Sequence, residues 1–166
     1  MVKGIFVDIA KILRFAWHLD GKIAGSARPG RYGNLSEELA FLREQGIRHV
    51  INLCETPLEV SDDYGNHLRF HHFPLLDGHA PSEHEMELIR LKVAEAVAQN
   101  EPCLIHCQGG VGRTATVIGV LLMELGNLDL EQSLHNLRQA GRLTQSMEQW
   151  NFLCSRAQRG QSHARP

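Results

Sequence analysis

Pro102-Cys103-Leu104-Ile105-His106-Cys107-Gln108-Gly109-Gly110-Val111-Gly112-Arg113-Thr114 is three segments in one. Pro102 to His106 has the length and apolar content of a short buried strand. Cys107 to Arg113 is a glycine-rich turn. Thr114 to Leu125 continues as a strongly apolar stretch of helix length. A buried strand that turns tightly into a buried helix is a building unit of α/β folds.

Working outward, the same alternation recurs. Upstream, Lys22 to Ser26 reads as a strand that runs into a turn at Pro29-Gly30. Leu35 to Gln45 reads as a helix, with Leu35, Leu39 and Leu42 at helical spacing and Gly46 as its stop. Ile47 to Cys54 and Leu68 to Phe73 are strand candidates. Ser82 and Glu85 form a capping box ahead of a helix whose apolar stripe is Met86, Ile89, Val93 and Ala96. Downstream, helices are expected near Leu130 to Gln139 and Gln145 to Arg156. The expected fold is therefore α/β: one domain, with a central, mostly parallel sheet of four to five strands flanked by helices. That domain is assigned to residues 1–157. Residues 1–18 form an N-terminal helical extension, and 158–166 form a tail without structure.

Composition sets the broad limits. The chain has 166 residues, enough to bury a core, with a net charge of −2 that does not ask for a nucleic-acid partner. Its four cysteines, Cys54, Cys103, Cys107 and Cys154, are too few for a disulfide scaffold, and a domain of this size does not need one. A reducing, cytoplasmic setting follows. The histidines are scattered, without metal-site spacing, so no metal is expected. Ile5 to Trp17 is apolar but interrupted by Asp8, Lys11 and Arg14, too short and too charged to span a bilayer. Lys3, Lys11, Arg14 and His18 share one face of that helix if it forms. The simpler expectation is a helix packed on the domain, with membrane contact through residues 3–17 as the lesser alternative.

Chemistry concentrates in the glycine-rich turn. In open α/β sheets, ligands bind beyond the carboxyl ends of the strands. Gly109, Gly110 and Gly112 allow successive N–H groups to face one anion, and the following helix N-terminus adds partial positive charge. Such a setting stabilises a cysteine as thiolate. Arg113 supplies a planar fork suited to two phosphate oxygens. Gln108 and Val111 complete the cradle. A nucleotide P-loop is the rival reading, but it requires Lys before Ser or Thr and a glycine where Cys107 stands. A merely buried core thiol is the other.

The nine residues from His106 to Thr114 resemble the signature loop of the protein tyrosine phosphatase superfamily, and the chain from Trp17 to Leu153 resembles its small atypical dual-specificity branch. Ala24-Gly25-Ser26-Ala27-Arg28-Pro29 is similar to that branch's N-terminal strand and turn. The resemblance implies a phosphatase that uses no cofactor and no metal. Cys107 is its nucleophile, Arg113 its phosphate clamp and Thr114 the hydroxyl that helps the thiolate leave. Phe73 to Pro81 is similar to the mobile acid loop, which makes Asp77 the general acid and His79 the reserve. The tryptophan-proline-aspartate form is absent, because Leu75 and Leu76 separate Pro74 from Asp77. Glu55 matches the glutamate that holds the arginine, Gln145 matches the glutamine that positions water in the second step and Gln149 its companion, and His106 orders the loop. Asn52-Leu53-Cys54-Glu55 resembles a segment in which Cys54 would be a redox partner of Cys107. Arg28 lies toward the pocket rim. Expected substrates are phosphorylated proteins or small phosphate esters, handled by a monomer. Phosphoinositides are disfavoured because residues 108–112 carry no lysine, and RNA 5′-triphosphatase activity because no basic stripe appears. A pseudophosphatase would have lost Cys, Arg or the acid, and a sulfur-transfer domain does not require Arg113 and Thr114.

Overall fold

The computed structural model describes residues 8–61 and 67–162. Its sheet has five strands: β1 (Ala16–Leu19), β2 (Ile23–Ser26), β3 (His49–Asn52), β4 (Arg69–His72) and β5 (Cys103–His106). They lie in the order β1-β2-β5-β3-β4, with β1 antiparallel to β2 and every other pair parallel. The helices are α1 (Ile9–Leu13), α2 (Leu35–Glu44), α3 (Glu83–Ala98), α4 (Gly112–Glu124), α5 (Leu130–Gln139) and α6 (Met147–Ser162). This is the expected α/β architecture, one domain around one sheet.

Alternation along the strands divides the core in two. Ile23, Ile51 and Ile105 face the larger cluster, built with Met86, Ile89 and Val93 of α3, Ile118 of α4 and Leu153 of α6. Ala24, Val50 and Leu104 face the opposite side, under Leu13 of α1 and Leu39 and Leu42 of α2. Side chains of successive strand residues point to opposite faces, so both faces are apolar and both are covered. β5 is central, flanked in register by Ser26 of β2 and Asn52 of β3 opposite His106. The turn after His106 therefore leaves from the middle of the sheet's carboxyl edge.

The capping box of α3 is present, with Ser82 and Glu85 each bonded to the other's backbone N–H. The N-terminal extension departs from expectation. Residues 1–7 lie outside the described residues, and the helix runs only over Ile9–Leu13. Arg14 ends it in the left-handed region, φ 54°. Ala16–Leu19 then pairs with β2 as an edge strand, so His18 belongs to no helical face. It is buried at 5% exposure, with Nδ1 2.7 Å from Asn136 Oδ1. Phe15 explains the change of direction. It packs edge-on against Trp17 and Phe41, which a continued helix would not allow. The tail also differs: Gln158 to Ser162 continues α6, while 163–166 lie outside the described residues. Among the described residues no helix is long and apolar enough to cross a membrane.

Candidate active site

The turn from Cys107 to Val111 joins the end of β5 to the start of α4. Its glycines serve different ends. Gly110 has φ +71°, and a β-carbon there would meet the Ser26 carbonyl oxygen at 2.5 Å. Gly112 has the flexible Gln145 side chain against it, whereas Gly109 has only ordinary neighbours. Backbone angle and close approach to a fixed carbonyl thus both require glycine at Gly110.

α4 begins at Gly112 with no side-chain cap on Val111. Among the described residues, no acceptor is paired with the amides of residues 108–113. Those groups stay available to an anion at the helix N-terminus. Cys107 lies at the start of this turn, 3% exposed, and the Thr114 hydroxyl donates to its sulfur at 3.0 Å. The His106 ring is fully enclosed, with Nδ1 3.3 Å from the Cys107 carbonyl oxygen. Burial, which outweighs that contact, takes its pKa down to about 3. It is therefore a neutral ring that fixes the turn and carries no charge.

Arg113 is 2% exposed, and its Nη1 donates both to Glu55 Oε2 at 2.8 Å and to the Leu75 carbonyl at 2.9 Å. Desolvation opposes the charge, but Glu55, Cys107 and Asp77 together outweigh it and raise the pKa. Glu55 follows a turn that Asn52 closes, accepting from the Cys54 N–H and donating to the Thr56 carbonyl. The Arg113 hydrogen bond holds the Glu55 carboxyl down to about 2. Its other oxygen accepts the Asp77 N–H at 3.0 Å.

Asp77 Oδ1 lies 3.5 Å from Arg113 Nη2, while the His79 ring turns to Glu148, 3.1 Å away. Of the two acid candidates, Asp77 is the one beside the clamp. The loop behind it is fastened to the start of α6. Ser146 donates to the Gly78 carbonyl, Gln149 Nε2 to the His79 carbonyl, and Glu148 accepts the Ala80 N–H. Gln149 Oε1 also accepts the Gln145 N–H at 2.8 Å. Gln149 is fully buried with its side-chain amide engaged by the Gln145 N–H and the His79 carbonyl. Gln145, exposed and lying against Gly112, is the glutamine next to the cradle.

Cys54 is buried one residue before Glu55. Burial pushes its thiol pKa up, against the pull of Arg28 and Arg113, and Cys107 is close enough to add to the rise. Arg28 grips the Thr56 and Pro57 carbonyls and supports the Glu55 turn.

Sequence reasoning missed Arg14, Arg31, Tyr32 and Arg142 beside the loop. Arg142 is 1% exposed, and its Nη2 donates to the Arg14 carbonyl at 2.7 Å. A signal for it existed: Gly25 stands inside a strand, and a β-carbon there would come within 2.6 Å of Arg142 Nε.

The arrangement brings a thiol, an anion cradle, a pinned guanidinium and a carboxyl group together at the carboxyl edge of the sheet. Residues 24–127 match the family described as polymorphic toxin system, DSP-PTPase phosphatase. That span contains Glu55, Asp77 and the whole loop, but neither Gln145 nor Arg14. The chain is 30% identical over 134 residues to cyclin-dependent kinase inhibitor 3 of Rattus norvegicus, covering 72% of this chain and 62% of the relative. It thus spans less than two thirds of that relative's length. It is 24% identical over 127 residues to protein tyrosine phosphatase PRL-1 of Leishmania major, covering 70% and 73%. Among solved structures, Tk-PTP in the active form superposes with TM-score 0.75 at 28% identity, covering 88% of this chain and 97% of that one.

Proposed function

The chain belongs to the DSP-PTPase phosphatase family of polymorphic toxin systems, and from that premise we propose that it hydrolyses phosphate monoesters on proteins, phosphotyrosine and phosphoserine or phosphothreonine alike, through a phosphocysteine. One observation carries this reading: Cys107 and the doubly anchored Arg113 stand at the two ends of a turn whose amides have no acceptor among the described residues.

In the first step, the Cys107 sulfur attacks phosphorus as the ester P–O bond breaks. Asp77 gives its proton to the departing oxygen, and the alcohol leaves. The three equatorial oxygens rest on the loop amides and Arg113, whose charge is fixed before substrate arrives. In the second step, Asp77 takes a proton from water as that water attacks phosphorus. The S–P bond breaks, Thr114 stabilises the thiolate, and inorganic phosphate is released. Gln145 orients the water, Glu55 holds Arg113, and His106 keeps the turn in shape. The chain's four cysteines, none of them paired in a disulfide, fit the reducing cytoplasm.

Hydrolysis of a small aryl phosphate and of phosphopeptides, without added metal, tests this. Cys107→Ser should remove turnover while vanadate still binds, because the cradle is mostly backbone. A variant that keeps more than about a hundredth of the wild-type rate would exclude Cys107 as nucleophile.

A further inference from the structure

On the Gln108–Gly109 side of the loop lies a pair of cations that the two chemical steps do not use. Arg14 comes from the end of α1 and Arg31 from the turn after β2. Their guanidinium carbons lie 5.4 and 5.1 Å from the centre of the Tyr32 ring, which is 49% exposed. Each also touches the loop: Arg14 Nη1 donates to the Gly109 carbonyl at 3.2 Å, and Arg31 Nη1 to Gln108 Oε1 at 3.1 Å. Among the described residues neither has a carboxylate within ion-pair distance, whereas Arg69, Arg90, Arg113 and Arg156 all do.

Holding Arg14 there is unfavourable in two ways. Its left-handed backbone is strained for a residue with a β-carbon, and helices usually end with glycine or asparagine in that conformation. Two like charges beside one ring also repel. The buried Arg142 clamps the Arg14 carbonyl and keeps it in place. Each guanidinium has five N–H groups and spends one on the loop, so several remain to bind an anion.

We propose that Arg14 and Arg31 form a second anion subsite, which selects phosphopeptides carrying another phosphoryl or carboxylate group near the scissile phosphate. This rests on the phosphatase reading above. Gln108 follows Cys107 directly and its side chain holds Arg31, so the second anion would bind beside the catalytic loop. An extended peptide advances about 3.3 Å per residue, so the second group would lie a few residues from the first. The adjoining groove, about 560 Å³, is lined by Arg28, Arg31, Leu35, Pro57, Leu58 and Glu59. Mixed apolar and charged walls suit an extended peptide, and Glu59 repels a densely anionic surface. With both guanidiniums against its ring, Tyr32 is not a platform for a nucleobase.

The test compares kcat/KM for three matched peptides: phosphotyrosine alone, with phosphoserine three residues away, and with glutamate at that place. The doubly phosphorylated peptide should lead the single one by about tenfold, with glutamate between. In the Arg14→Gln, Arg31→Gln double variant the ratio should fall to near one, and Arg31→Lys should keep part of it. Because each ratio is taken within one variant, a loss of folded enzyme cancels. Equal values for the three wild-type peptides, or a preference that survives in the double variant, would overturn the subsite. A gain seen only with soluble inositol phosphates would overturn the peptide assignment. Failure of the wild type to turn over aryl phosphate would instead overturn the phosphatase reading.

Discussion

Glu55 joins parts of the site that are distant in sequence. One oxygen holds Arg113, 58 residues on, and the other holds the Asp77 N–H, 22 residues on. Glu55→Gln keeps the shape but offers one acceptor where two donors wait. It should lower kcat about 10–100-fold, more on a poor leaving group than on an activated aryl phosphate, because the acid loop is displaced along with the clamp. Equal kcat for Glu55→Gln and wild type on both substrates would show that the bridge is idle. Arg113→Lys should cost more, about 10²–10³-fold, since an ammonium cannot make the Glu55 and Leu75 contacts and still present two donors to phosphate. Cys54 carries a redox prediction. Peroxide should oxidise the Cys107 sulfur to sulfenic acid, and the Cys54 thiol should then displace water from it to form a disulfide. Peptide mapping after alkylation should find Cys54 joined to Cys107, with activity restored by dithiothreitol. Sulfinic acid on Cys107 beside a free Cys54 would rule this out. At this scale the reactive residues were legible because their chemistry dictates residue type: a nucleophile, a fork, a hydroxyl. The partners of Arg14, Arg31 and Arg142 were not, because an exposed or clamped arginine has no spacing rule.

The elements were legible where periodicity was long. Helix α5 has the bounds its pattern gives, Leu130–Gln139, and the Ser82–Glu85 box opens α3 as read. The N-terminus misled because Ile5 to Trp17 is apolar at mixed spacing, and the decision between helix and strand rests on Phe15 meeting Trp17 beside it and Phe41 across the chain. The start of α6 carries contacts that its glutamine pattern does not suggest. Ser146, Glu148 and Gln149 form a latch on residues 78–80. Gln149→Leu fills similar space and removes the latch's buried amide. We expect amide exchange at Gly78 to Ala80 to quicken, and kcat on a poor leaving group to fall about tenfold, with little change in KM. Unchanged exchange across those residues would mean that Ser146 and Glu148 hold the loop alone.

For the molecule as a whole, buried histidines set the response to acid. Burial, helped by the nearby Arg142 charge and opposed by Asn136, takes the His18 pKa down to about 4, and burial takes His106 to about 3. Both stay neutral in the folded chain through the range where the unfolded chain protonates, near 6.5. Below pH 6.5 the unfolded state therefore binds more protons, and stability falls as pH falls. It is fully present above pH 7. Between pH 7 and pH 5 each ring forfeits roughly 2 kcal/mol, or roughly 4 kcal/mol together, a large share of the 5–15 kcal/mol typical of such domains. His71, also lowered by burial and then by His49, acts in the same direction. Glu55, held near 2, stays ionised in the folded chain throughout this window, and because its unfolded counterpart gains protons only toward pH 5 it adds little slope, in the same direction. Urea midpoints measured every half unit from pH 7.5 to 5 should fall steadily at constant m. His18→Gln removes one of the two large contributions without touching the site, so its midpoint should fall about half as far over the same range, whatever its value at pH 7. A profile for His18→Gln parallel to wild type would place the acid sensitivity elsewhere than in these buried rings.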